Sequence, residues 1–97
     1  MSNPVAHNPI SHSTDEQRYE IHVDGVLAGF AVAREDGDTV VFPHTEVFEE
    51  FEGRGLASEL VAGALDDVRA RGRKVVAPCP YVARFIGKHP DYADLLA

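Results

Sequence analysis

A chain of 97 residues has the length of one domain with one modest core, and an apolar fraction of 44% with charge spread throughout is that of a folded protein rather than a disordered one. A net charge of −7 argues against nucleic acid as a partner, which needs a basic footprint, but suits a cationic or amine ligand. No apolar run approaches the roughly 20 residues of a membrane span, the start Met1-Ser2-Asn3-Pro4 lacks the order of a secretory leader, and the single Cys79 excludes an internal disulfide and a cysteine-based zinc cluster.

The histidines are scattered without metal-ligand spacing, so no metal is expected. The expectation is a cytoplasmic protein with no membrane partner, a monomer or weak dimer.

Residues 1–14 read as a flexible N-terminal arm with a short strand at Val5 to Asn8, and residues 15–97 as a single domain. Arg18 to Val23 alternates, with Tyr19, Ile21 and Val23 on one face, which is the pattern of a half-buried strand. Asp24-Gly25 is a hairpin turn. Val26 to Arg34 is a second strand covered on both faces, and Glu35 to Asp38 the next turn. Thr39 to Val47 is a third strand, with Pro43 marking a bulge or an edge. From Gly55 to Arg71, Leu56, Leu60, Ala64 and Val68 recur every fourth residue and predict an amphipathic helix, closed by Gly72. Lys74 to Cys79 is a strand, Val82 to Lys88 a short helix ended by Pro90, and a last turn or two runs from Asp91 to Leu96. Tyr19, Phe30, Phe42 and Phe85 read as core, and Glu49, Glu50, Asp66 and Asp67 as surface.

The fold class is therefore mixed α/β: an antiparallel meander, then a strand–helix–strand crossover with roughly parallel strands, then short helices. Glu52-Gly53-Arg54-Gly55-Leu56-Ala57-Ser58 stands at the helix start. Free N–H groups and the positive end of the helix dipole make phosphate the natural ligand there, and glycine lets it approach. Arg54 offers a charge-assisted contact. A P-loop needs Gly-Lys-Ser/Thr, but Leu56 follows Gly55. A dinucleotide fold needs a third glycine where Ser58 stands, and an early strand rather than a preceding meander.

The element order and this turn resemble the GCN5-related N-acetyltransferases, whose pyrophosphate motif is Gln/Arg-x-x-Gly-x-Gly/Ala. Gly55 and Ala57 fill its last two places, while Glu52 departs from its first. Arg18-Tyr19-Glu20-Ile21, His44-Thr45-Glu46-Val47, Leu65-Asp66-Asp67-Val68-Arg69, Cys79-Pro80-Tyr81-Val82 and His89-Pro90-Asp91-Tyr92 resemble the small single-domain NATD1-like branch of that superfamily. The resemblance implies acetyl-CoA as co-substrate and a small amine or a lysine-bearing acceptor.

It also implies that the pantetheine arm lies between two splayed strands, here those ending at Val47 and Cys79. Backbone groups of Thr45 to Val47 then pair with the pantetheine amides, and an N–H near Val47 polarises the thioester. Cys79 matches the suspected active-site cysteine of the branch, as covalent acceptor or proton relay, against the alternative of a buried small hydrophobe. His44 and Glu46 share a strand face and are candidate bases, or a solvated surface; Thr45 points the other way and reads as structural. Tyr81 is a candidate proton donor to the leaving thiolate, or a packed rim residue. Arg84, Lys88 and His89 are candidates for the far end of CoA, or plain surface. A CoA- or acyl-CoA-binding module without transfer is the rival function, and an unrelated phosphate-binding domain a third.

Overall fold

The computed structural model describes residues 8–97. Strand β2 (Arg18–Val23) buries Tyr19 and Ile21, as its period-two alternation predicts. Asp24 and Gly25 take φ of 50° and 81°. Two successive positive φ values are those of a type I′ hairpin, whose twist matches its strands. The chain returns as β3 (Val26–Val32), antiparallel to β2, and a register shift at Ile21/His22 leaves Ala28 as a bulge residue.

Strand β1 (Ile10–Ser13) pairs antiparallel with β2, so the second half of the expected arm is a strand. Three contacts hold it in place. A Cβ at Gly63, in the long helix described below, would come within 2.9 Å of Ile10 Cγ1, so glycine lets β1 lie close. Asn8 donates its backbone N–H and side-chain amide to the Glu59 carboxylate at 2.8 and 3.2 Å. The His12 ring stacks on Tyr19 with centroids 4.4 Å apart. Of the strand expected at Val5 to Asn8, residues 5–7 lie outside the described residues and Asn8 is not in a strand.

Strands β4 (Arg34–Asp36) and β5 (Thr39–Val41) form a second hairpin, so Glu35 and Asp36 are strand rather than turn. The single strand expected from Thr39 to Val47 divides at Pro43, which has no N–H for a ladder. Before it, β5 pairs in parallel with β7 (Lys74–Val76). After it, β6 (Thr45–Val47) pairs antiparallel with β3. Two sheets result, in the orders β1-β2-β3-β6 and β4-β5-β7.

A 3-10 turn (Glu49–Phe51) and the glycine turn lead into α1 (Leu56–Ala70). Its buried residues Leu56, Leu60, Val61, Ala64, Leu65 and Val68 meet Tyr19, Ile21, Ala28, Ala31 and Val75 in one core. Gly72, at φ 70°, ends it: the N–H groups of Gly72 and Arg73 bond the carbonyls of Arg69 and Val68 at 3.0 and 3.1 Å, a Schellman closure. Strand β7 stops at Val76 rather than Cys79, since Pro78 has no N–H for a ladder, and α2 (Pro80–Lys88) starts earlier than expected. Proline suits a first helical position, where its missing N–H costs nothing. A 3-10 turn (Pro90–Leu95) follows, and Ala97 N–H bonds the Val75 carbonyl at 2.9 Å. No helix among the described residues is long and apolar enough to cross a membrane.

Tyr19, Phe42 and Phe85 are buried, but Phe30 is not in the core. It lies in the solvent-facing row Glu20–Phe30–Glu46, half-buried beneath the Arg18 guanidinium at 4.7 Å. Asp67 is not plain surface either. It accepts the Tyr19 hydroxyl at 2.6 Å, Arg71 donates to that hydroxyl at 3.0 Å, and Arg71 also pairs with Glu35 at 3.1 Å. Burial, and next the bond to Asp67, push the Tyr19 hydroxyl above its ordinary pKa.

Candidate functional site

The site begins where β5 and β7 part. Their last rungs run from Phe42 N–H to the Val76 carbonyl and from Cys79 N–H to the Phe42 carbonyl, both at 2.9 Å. Beyond Phe42 the first strand swings toward β3, and beyond Cys79 the second chain enters α2. Val32 N–H bonds the His44 carbonyl and Phe48 N–H the Ala28 carbonyl, each at 2.8 Å. Backbone groups alternate along a strand, so residues 44, 46 and 48 face β3, and the N–H and C=O of Thr45 and Val47 face the open fork.

The glycine turn closes the lower end of the fork. Gly53 and Gly55 have φ of 83° and 74°, where any side chain is strained. Gly55 is the N-cap of α1 and supplies no side-chain cap. The N–H groups of Leu56, Ala57 and Ser58 therefore have no intrahelical partner and point out of the helix start. They border a cleft of about 320 Å³ whose walls include Thr45, Val47, Gly53, Gly55 and Tyr81. The structure thus brings together nine of the residues read from the sequence: Thr45, Val47, Gly53, Gly55, Leu56, Ala57, Ser58 and Tyr81 in the cleft, and Cys79 directly beside it.

Cys79 is 4% exposed, and its Sγ donates to the Thr45 hydroxyl at 3.6 Å. Thr45 lines the cleft, where its backbone is expected to pair with the cofactor, and its side chain reaches it because it shares the α1-facing side of the sheet with Ala31 and Tyr19. His44 and Glu46 lie on the opposite face and do not line the cleft; they form a pair, His44 Nε2 to Glu46 Oε1 at 3.2 Å, beside the Phe30 ring. The Arg54 guanidinium lies over the Phe51 ring, 5.5 Å from its centroid, and is not part of the wall.

Phe51 and Glu52 line the cleft. Phe51 is a wall residue that the motif does not name; its signal in the sequence is an aromatic residue two places before the first glycine of the turn. The hydroxyls of Ser58 and Tyr81 are 2.9 Å apart and form a ridge. Across it lies a smaller hollow of about 90 Å³ that Arg84, Phe85, Lys88 and His89 complete.

The sequence model of a family described as GCN5-related N-acetyl-transferase matches residues 18–95. Protein NATD1 of Danio rerio is 29% identical over 92 residues, spanning 88% of this chain and 81% of that protein. The solution structure of a GCN5-like protein from Staphylococcus aureus superposes with a TM-score of 0.70 at 20% identity, over 96% of this chain and 91% of that one. The GNAT family N-acetyltransferase YhbS from Escherichia coli, solved in complex with CoA, superposes with a TM-score of 0.59 at 28% identity, over 76% of this chain and 48% of that one.

Proposed function

The chain belongs to the GCN5-related N-acetyltransferases, and we propose that it holds acetyl-CoA in the cleft and transfers the acetyl group to an amine, either a small molecule or a lysine side chain. The observation that carries this reading is the backbone edge of β6, unpaired among the described residues, with Thr45 and Val47 facing a fork that opens onto the glycine turn. An extended chain carrying amides finds strand-like partners along that edge. A pyrophosphate finds N–H groups and the positive dipole end at Leu56 to Ser58. The CoA complex of YhbS, a protein 28% identical to this one, supports the same choice of ligand.

Transfer forms a C–N bond to the thioester carbonyl carbon and breaks its C–S bond. The Val47 N–H is the donor for the oxyanion that develops. The amine must lose a proton, and the His44–Glu46 pair takes it, the carboxylate orienting the imidazole. Because that pair lies on the outer face of the sheet, the acceptor enters from the side opposite the cofactor. Tyr81, its hydroxyl 2.9 Å from Ser58 Oγ, stands on the cofactor side at the phosphate end, and the leaving thiolate takes its proton from water. Cys79 lies beneath Thr45 with 4% exposure, which favours direct transfer over an acetyl-cysteine.

The test is release of free CoA thiol from acetyl-CoA with a panel of amines. The reading expects amine-dependent turnover and a loss of about 10²-fold or more in Glu46→Gln and His44→Ala. Cys79→Ala keeps most of the rate, and no hydroxylamine-labile acetyl adduct forms on the protein. CoA binding without turnover on any amine would make the protein an acyl-CoA-binding module instead. A labile adduct lost in Cys79→Ser would overturn the direct route.

A further inference from the structure

We propose that the acceptor is a lysine within a polypeptide segment, and that the segment docks along the outer face of the sheet on both sides of the His44–Glu46 pair; this rests on the reading of that pair as the base of the transfer. The first observation is an uncovered apolar face. Phe30, Val32, Val41 and Phe48 are half-buried and stand apart from the core, and Val76 is 40% exposed. The register puts them on one side. Arg34, Val41 and Val76 are partners across β4, β5 and β7, and Phe30 stands between Glu20 and Glu46 across β2, β3 and β6. Partners across a ladder share a face, and this face is opposite the one that buries Tyr19, Val40 and Val75. The buried residues of α1 and α2 all belong to the core on that other side. An antiparallel sheet can leave one face to water, but a parallel pair such as β5 and β7 is ordinarily covered on both. The Val41–Val76 row lacks that cover among the described residues.

Spacing is the second observation. Along the line of β5 and β6, the stretch from Val41 to Phe48 spans about 20 Å at the rise of a strand. His44 and Glu46, both exposed, stand near its middle. At one end Phe48 lies beside Phe30, with ring centroids 6.1 Å apart, and at the other are Val41 and Val76. A small amine would touch the pair alone. A polypeptide presenting its N-terminal amine would stop at the pair and leave one end bare. A lysine inside a segment brings its amine to the pair on a flexible four-carbon stem, while the chain runs over both ends.

Charge is the third. Glu46 attracts the lysine ammonium before it is deprotonated. Arg34 is exposed and has no ion pair among the described residues, whereas Arg18, Arg69, Arg71 and Arg73 are each paired with a carboxylate. Arg34 stands beside Val41, so the segment carries an acidic side chain there, about three or four residues from the lysine.

Initial rates of CoA thiol release by the full chain test this. The acceptors are N-acetyl-lysine methylamide, peptides with one central lysine long enough to cover the track, and the same peptides with the lysine replaced and the N-terminus free. Central-lysine peptides with Glu at the acidic position are expected to have a KM at least about tenfold below that of the methylamide. Val76→Asp and Arg34→Glu each raise the peptide KM about tenfold, while the rate on the methylamide and the affinity for CoA stay unchanged, which shows that the fold holds. Arg34→Glu also shifts the preference from Glu to Lys at the acidic position. Equal KM values for methylamide and peptides, a preference for N-terminal amines, or a peptide KM unmoved in both variants overturns the docking face while leaving acetyl transfer in place. A dimer in solution that Val76→Asp dissociates also overturns it, by giving the face to a second copy. Turnover on none of these amines overturns the transfer reading and the docking face with it.

Discussion

Gly55→Ala separates what the glycine turn does for the fold from what it does for the ligand, because Gly72 provides a matched control. Both residues have positive φ, 74° and 70°, and at both an added Cβ meets no protein atom within 4 Å. The cost to the unliganded protein is therefore backbone strain in each case, about 1 kcal/mol net of the smaller unfolded-state entropy. For a domain of this size that lowers the melting temperature by about 4–8 °C. The ligand distinguishes them, since only Gly55 lines the cleft. CoA at about 100 times its Kd should stabilise wild type and Gly72→Ala by about 2.7 kcal/mol. In Gly55→Ala the methyl group occupies the phosphate approach. Loss of one or two charge-assisted N–H contacts weakens binding about 100-fold, and the same CoA concentration then gives only about 0.4 kcal/mol. Differential scanning fluorimetry with and without CoA reads both quantities. Equal CoA shifts in Gly55→Ala and Gly72→Ala would refute the placement of the phosphates on this turn.

The Glu52 carboxylate lines the cleft near the expected phosphates, so Glu52→Gln should tighten CoA binding severalfold by titration; a loss of affinity would show that the carboxylate organises the turn. Gly29→Ala should lower stability by about 1–3 kcal/mol in urea unfolding and weaken CoA binding as well. Its Cβ would lie 2.5 Å from the Glu46 carbonyl oxygen and push β6 out of place; unchanged stability would contradict that register. Burial, then the bond to Asp66, pushes the Tyr92 hydroxyl up to about 12, and Tyr19 is raised by burial and Asp67. A phenol that holds its proton more tightly when folded contributes stability that is complete below the unfolded value of about 10 and is lost as pH rises through the folded one. Chemical unfolding should therefore show stability falling above pH 10, with a shallower fall in Tyr19→Phe; an identical slope in that variant would contradict the assignment.

The elements legible in the sequence are those decided by local pattern. The alternation of Arg18 to Val23, the four-residue spacing along α1, the Asp24-Gly25 turn and the Gly72 closure each depend on a few neighbours, and each forms where the pattern puts it. The parts that were not legible depend on residues far apart in the chain. Strand β1 exists because Ile10 meets Gly63 and Asn8 meets Glu59. Pro43 announces a break, but only the pairing partners show that the two halves join different sheets. The Tyr19–Asp67–Arg71–Glu35 network links three elements through contacts that no spacing reveals. At the site, the glycine turn and the cleft-edge backbone were readable from the motif and the resemblance. The depth of Cys79 and the side of the sheet that faces the cleft were not, because both follow from how α1 packs on the sheet.

The central claim is that acetyl-CoA lies along the free edge of β6 with its pyrophosphate on the first turn of α1. A nitrogen-15 NMR titration of the full chain with acetyl-CoA tests it most directly, because the claim is about backbone N–H groups. The account predicts saturable shifts concentrated at the amides of Thr45 and Val47 and of Gly53 through Ser58, while β1 and the β4–β5 hairpin stay unmoved. Saturable binding whose largest shifts fall elsewhere, or no shifts at millimolar acetyl-CoA, would contradict it.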